Sequence, residues 1–320
     1  MSGSDRGAGR GAAEGDPGEG RSELRAQFDE ARAQFEATSA KIEERAGRNL
    51  FLAIGTGLIF AAAFLASLFI VKQVFAVLVV LLVSVALVEL AAAFRVAGRR
   101  VPRVGVVIGG LIITGGAVFW GAEGMLLGLF AGSLLLTVWR LIEGLVPAWE
   151  VPPKTLVRDV FSGLFTLVYV AFLASFALLL LDAPLGEWWV FALVLVVVSV
   201  DVGAYAAGVM LGKHKMTPRI SPNKTWEGFA GAAVAAMISG VAISLLALEQ
   251  PWWVGVVIGI VVLLTATGGD LTESLIKRNL GVKDMSSWIP GHGGFLDRLD
   301  SLLPSAVGVF GVALALGVFA

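Results

Sequence analysis

Cysteine is missing from all 320 residues, and histidine occurs only at positions 214 and 292. The first absence excludes disulfides, zinc–thiolate sites and thiol nucleophiles, and the second excludes a multi-histidine metal site. A catalytic metal would therefore rest on carboxylate oxygens, which favours Mg²⁺ or a similar hard cation. Charge is scarce too: Asp, Glu, Lys and Arg make up 15% of the chain against 57% hydrophobic residues, with a mean hydropathy of +0.84. Apolar runs of about twenty residues recur along the chain, the length needed to cross a bilayer as a helix. The expected class is an all-α, polytopic integral membrane protein.

The first 48 residues show no short apolar core after a basic start, so no secretory signal is expected there. Residues 1–21 are rich in Gly, Ala and charge and read as disordered. In 22–46, Leu24, Phe28, Ala31, Phe35, Thr38 and Ile42 recur in steps of four and three, the spacing of a short amphipathic helix. This tail (1–48) precedes N-terminal membrane helices (49–181) and a catalytic membrane region (187–320) with polar loops at 211–225 and 279–298.

Spans are expected near 49–71, 74–94, 104–119, 123–142, 158–181, 187–210, 226–247, 252–278 and 299–319, about nine in all. The break between the third and fourth rests on Gly121-Ala122-Glu123-Gly124. Basic residues accumulate in cytoplasmic connections, so their placement tests this count. With the N-terminus inside, Arg95, Arg99, Arg100, Arg103, Lys154, Arg158, Lys213, Lys215, Arg219 and Lys224 all fall on the cytoplasmic side. Of the 24 Lys and Arg, only Lys72 falls outside. The C-terminus is then outside, and both long polar loops face cytosolic nucleotides and inner-leaflet headgroups.

The stretch from Asp270 to Ser301 crowds acids and cations between two apolar segments. If the preceding helix continues into it, Asp270, Glu273, Ser274 and Lys277 fall at i, i+3, i+4 and i+7 on one face. Two acids, a hydroxyl and an ammonium on one face suit a phosphate–metal substrate. An interfacial positive stop with acidic partners is the plainer alternative.

Asp201 lies 13 residues after Trp188, roughly 20 Å along the sixth span. Asp270 lies 18 residues after Trp252, roughly 27 Å along its own. An acid within a span is costly unless paired, hydrated or metal-bound. Asp201, Tyr205, Gly208 and Gly212 share a face, and the glycines equally suit close helix packing. In the loop, Ser221-Pro222-Asn223-Lys224-Thr225 runs straight into Trp226-Glu227-Gly228. A hydroxyl and a cation at a helix start can bind phosphate.

From Ser274, Ile276-Lys277-Arg278, Lys283-Asp284, Ser286, Ile289-Pro290 and His292-Gly293-Gly294-Phe295 to Asp297-Arg298-Leu299-Asp300, the chain resembles the CDP-diacylglycerol synthases (phosphatidate cytidylyltransferases). The block from Asp201 through Tyr205, Gly208, Gly212-Lys213, Ser221-Pro222, Lys224-Thr225 and Glu227-Gly228 resembles that family's second conserved segment. The resemblance covers about 187–301 in detail and does not reach the tail. It implies the reaction CTP + phosphatidate → CDP-diacylglycerol + diphosphate, dependent on Mg²⁺, at the cytoplasmic face. It also implies that Asp270 and Asp297 hold the metal.

The residues fit that chemistry. The lipid phosphate is already an anion, so the difficulty lies in joining two polyanions and stabilising the leaving diphosphate. Asp270, Asp297, Lys277, Arg298 and His292 are the expected catalytic group. Ser221, Lys224, Thr225, Arg278, Lys283 and Ser274 are expected on the phosphates, with Asp201, Tyr205, Glu227, Glu273 and Asp300 in support. Glycines around His292 let backbone amides approach an anion; His292 may equally cap the next helix. The expected partners are CTP and phosphatidate in the plasma membrane, with no nucleic acid, and the glycine-rich spans allow a homodimer. The alternatives are a CTP-dependent enzyme acting on an isoprenoid-ether or polyprenyl lipid, and a transporter with Asp201 and Asp270 as ion-coupling acids.

Overall fold

Residues 50–145, 152–282, 284–286 and 294–319 are described by a computed structural model, with the backbone alone for 50–58 and 60. The tail with its expected amphipathic helix, Lys283 and His292 lie outside these residues. The chain divides into units 1–59 and 60–320, and the features below belong to the second.

Helix α1 (Leu50–Ile70) breaks at Val71 and is followed by α2 (Lys72–Val96). Gly98 takes φ 72° just past the end of α2, where the Arg99 amide turns back to the Phe94 carbonyl. A left-handed residue is needed to close a helix in this way, and glycine adopts it without strain.

α3 (Arg103–Leu145) is continuous by hydrogen bonding but not straight. Its 43 residues would span roughly 65 Å as a rod. Instead Trp120 and Gly121 leave helical geometry, and the two halves fold against each other. Gly109 faces Gly132, Ile112 faces Gly128 and Gly116 faces Gly124, so one half descends where the other rises. A Cβ on Gly128 would stand 2.7 Å from the Ile112 carbonyl oxygen, and one on Gly116 would collide with the Gly124 carbonyl. Small residues let the two backbones touch, which supplies packing where lipid gives helices no hydrophobic drive to associate. The turn falls at the break expected from Gly121 to Gly124.

α4 (Pro153–Thr166) starts on a proline, passes through a π-helical segment (Leu167–Phe172) and continues as α5 (Leu173–Leu181). Beneath its first turns, Arg140 of α3 and Asp159 of α4 form a buried ion pair at 2.8 Å. The Arg100 amide adds a hydrogen bond to Asp159 at 3.1 Å.

The remaining elements are α6 (Gly186–Leu211), β1 (Lys215–Thr217), β2 (Ser221–Thr225), α7 (Trp226–Leu246), α8 (Trp252–Leu280), α9 (Leu296–Leu299) and α10 (Leu302–Ala315). β1 and β2 form an antiparallel ribbon, so the expected all-α chain carries one small sheet in its 211–225 loop. The ribbon allows the loop's backbone groups to pair with one another where no helix continues. α6, α7, α8 and α10 pack as neighbours around a core that includes Val196, Ala236, Ile258 and Val309. Gly203 meets Gly231, and Gly240 meets Gly255, at backbone contact distance. Thr265 and Ser305 join α8 to α10 by a hydrogen bond of 2.9 Å.

Seven helices among the described residues are long and apolar enough to cross a membrane, the bent α3 counted once. Leu81, Phe130, Ile238 and Leu264 lie on outward faces where lipid replaces water as the solvent. The protein is a mostly helical, multi-pass membrane protein.

Candidate active site

α6, the β2–α7 junction and α8 enclose a cavity of about 300 Å³ lined by Asp201, Tyr205, Ser221, Asn223, Lys224, Thr225 and Asp270. Its walls come together because the α6 and α7 glycines remove side chains between them. A Cβ on Gly228 would stand 2.9 Å from the Ala204 carbonyl oxygen. Thr225 caps α7, its hydroxyl oxygen accepting from the Gly228 amide at 3.1 Å. That acceptor role sets the start of α7 and leaves the hydroxyl hydrogen to donate.

The expected residues converge. Lys224 Nζ stands 2.6 Å from Asp270 Oδ2. Ser274 Oγ lies 3.4 Å from Asp270 Oδ1, one helical turn along α8. Lys277 Nζ bridges Glu273 at 2.6 Å and Asp297 at 2.9 Å, so α8 and α9 meet through one ammonium. Asp297 also accepts from the amides of Met285 (3.2 Å) and Gly294 (2.8 Å). Asp300 packs its backbone against Gly269 and accepts from the Ser301 amide at 2.6 Å.

Beside this lies a second cavity of about 550 Å³, lined by Ile220, Ser221, Pro222, Ser274, Lys277, Arg278, Gly281 and Val282. Ser221 lines both cavities, so the two adjoin at the ribbon. Arg278 Nε donates to the Ile220 carbonyl at 3.1 Å, which fixes the guanidinium at the rim. α8 ends here because Gly281 adopts φ 72° and the Val282 amide returns to the Lys277 carbonyl.

Glu227 was expected in support and does so at the loop. Its carboxylate takes the amides of Lys213 and His214 and lies 2.6 Å from His214 Nδ1. Asp201 is exposed to the cavity, while Gly208 and Gly212, on the same face, pack closely against Thr225. Arg298 is exposed on the last turn of α9.

A hard divalent cation seeks carboxylate and phosphate oxygens. Among the described residues Asp270 Oδ1 meets only the long Ser274 contact, and Asp297 carries Lys277 on Oδ1 and two amides on Oδ2. Glu273 is buried, and its Oε1 has no hydrogen-bond partner among the described residues. These donors fit Mg²⁺. No cluster of three or more metal-ligating side chains occurs among the described residues, so substrate phosphates and water would complete the shell.

Two features escaped the sequence reading. Glu89, in the middle of an apolar span, is 1% exposed and reaches the segment before α9. A lone acid in a span was the signal that could have found it. The Arg140–Asp159 pair was missed because its partners lie on different helices, 19 residues apart, and meet only where α3 and α4 pack together.

Residues 52–316 match the model of the cytidylyltransferase family. A phosphatidate cytidylyltransferase of Mycobacterium leprae is 39% identical over 277 residues, covering 84% of this chain and 89% of that protein. Another of Mycobacterium tuberculosis is 38% identical over 272 residues, covering 82% of each. One of Brucella suis is 42% identical over 146 residues, 45% of this chain and 53% of that protein.

Proposed function

The chain belongs to the cytidylyltransferase family, and we propose that it performs the reaction its relatives are named for, CTP + phosphatidate → CDP-diacylglycerol + diphosphate. It is a nucleotidyltransferase of phospholipid biosynthesis. The observation that carries this reading is the Lys224–Asp270 pair, set in a cavity with one polar wall that adjoins a second, basic one between membrane helices.

An oxygen of the lipid phosphate attacks the α-phosphorus of CTP, the bond to the β-phosphate oxygen breaks, and diphosphate carries away the electron pair. The nucleophile is already ionised, so no side chain must act as a strong base. Lys224, Lys277 and Arg278 border the space where the phosphates must meet. Their carboxylate partners hold the two ammonium groups in place before substrate arrives. Preorganised cations stabilise growing negative charge without reorganising during the reaction. Asp270 and Asp297 would hold Mg²⁺, with Glu273 and Asp300 as neighbouring acids. When bound, the cation neutralises phosphate charge and polarises the phosphoryl group. Lys283 and His292 join the phosphate-binding group on the resemblance of their motif.

We place the site at the cytoplasmic face of the plasma membrane, with nine spans, the N-terminus inside and the C-terminus outside. Support comes from the segregation of Lys and Arg and from the α3 hairpin, which supplies two passes from one element. A phosphatidate phosphate then meets cytosolic CTP at the inner leaflet while its chains stay in lipid.

The test is purified protein with labelled CTP, Mg²⁺ and phosphatidate, scored for CDP-lipid and diphosphate. Product that requires all three components supports the assignment. Formation of no CDP-lipid would overturn it.

A further inference from the structure

Glu89 sits on α2 in the run Val85-Ala86-Leu87-Val88-Glu89-Leu90-Ala91, and the neighbouring Ala86, Leu87, Leu90 and Ala91 are all fully buried. A carboxylate there costs free energy that a leucine would not, because it must leave water. Three donors compensate it, all from one distant stretch of chain. Ser286 Oγ and the Phe295 amide donate to Oε1, the latter at 3.0 Å, and the Leu296 amide donates to Oε2 at 2.8 Å. Gly294 permits the approach, since a Cβ on it would stand 3.0 Å from both carboxylate oxygens.

These contacts flank Asp297 in a specific way. Glu89 binds the amide of Leu296, the residue immediately before it, and Ser286, the residue immediately after Met285. Asp297 itself binds the amides of Met285 and Gly294. The two carboxylates therefore grip the same two pieces of chain, Asp297 from the side of Lys277 and Glu89 from within α2. We infer that Glu89 is a positioning residue of the active site: it docks Ser286 and Phe295–Leu296 onto α2, and so fixes where Asp297 meets Lys277. It lines neither cavity of the site, and the inference rests on the cytidylyltransferase reading of the site.

Glu89→Gln keeps the side chain's shape but puts an NH₂ group against an amide N–H or the Ser286 hydroxyl. Ser286→Ala removes one donor and leaves Glu89 intact. The chain has no cysteine, so a spin label on Asp284→Cys in the full-length protein is the only label and reports the order of the docked stretch. Glu89→Gln is expected to lower kcat by about 100-fold, the scale of a misplacement near 1 Å. KM for CTP should stay unchanged and the thermal midpoint should fall but stay above the assay temperature, since an amide now faces a buried donor, while the label gains mobility. Ser286→Ala is expected to have a smaller effect, and the double variant should lose less than the sum of the two, because the residues share one contact.

Wild-type kcat in Glu89→Gln, or an unchanged label, would overturn the inference, as would losses that simply add in the double variant. A fall in kcat explained entirely by a lower thermal midpoint would overturn it too. If the wild-type chain makes no CDP-lipid, the functional reading fails separately. The label then still decides whether Glu89 docks the segment.

Discussion

Lys224 and Asp270 stand 2.6 Å apart across the gap between the β2–α7 junction and α8, each on a wall of the same cavity. Neither is near the other in sequence, and neither is deeply buried. In a site for polyanions the pair holds an ammonium ready on the cavity wall. Substrate binding then amounts to an exchange of partners.

Removing the ammonium alone should weaken the nucleotide complex. Lys224→Ala is expected to raise KM for CTP by about 10- to 100-fold, the scale of a lost charge-assisted hydrogen bond. Initial rates over a CTP series at saturating lipid measure it, and an unchanged KM would place Lys224 off the phosphates.

Asp270→Asn and Asp297→Asn should both abolish turnover, but for separable reasons. Asp270 contacts only Lys224 and Ser274 among the described residues, so its variant should insert normally and keep its thermal midpoint. Asp297 also holds two backbone amides, and an amide side chain would turn an NH₂ toward one of its donors. Its variant should therefore lose stability by about 1–3 kcal/mol as well. Turnover assays paired with thermal unfolding in detergent separate the two.

Chelation with EDTA should stop the reaction, and added Mg²⁺ should restore it. Wild-type rates in EDTA would rule out the role proposed for Asp270 and Asp297.

Stability away from the site depends on Asp159. Its side chain is fully buried against Arg140, so Asp159→Ala would leave the buried guanidinium only the longer Glu143 contact at 3.7 Å and should cost about 3–5 kcal/mol. Thermal unfolding checks this. The basal rate of the protein that remains folded should not change, because neither residue lines the polar cavities.

Much of this could be read from the residues because membranes impose simple rules. Run length located the helices, and Gly121 marked the α3 turn since few other residues tolerate φ near +60°. Of the four residues that helical spacing placed on one face, Asp270 meets Ser274 and Glu273 meets Lys277. Long-range pairing was harder. Nothing local to Glu89 points to Leu296, and nothing local to Asp159 points to Arg140. The 215–225 ribbon was also hidden, since its Ser-Pro-Asn-Lys-Thr strand lacks the alternating apolar pattern that marks most strands.

The tryptophans of the α3 turn and of the starts of α6 and α8 lie at one end of the helices, and Trp120, Trp252 and Trp253 are largely exposed there. Indole rings settle at headgroup level, so they act as a depth gauge for everything downstream. Asp201 and Asp270 hang roughly 20 and 27 Å from that gauge, against a hydrocarbon core of about 30 Å. A thicker bilayer would draw the carboxylates inward, away from the lipid phosphate they must meet, and a thinner one would push them out. Hydrophobic thickness therefore becomes a variable of the reaction, one that a reconstitution series in lipids of graded chain length would register as a maximum in rate.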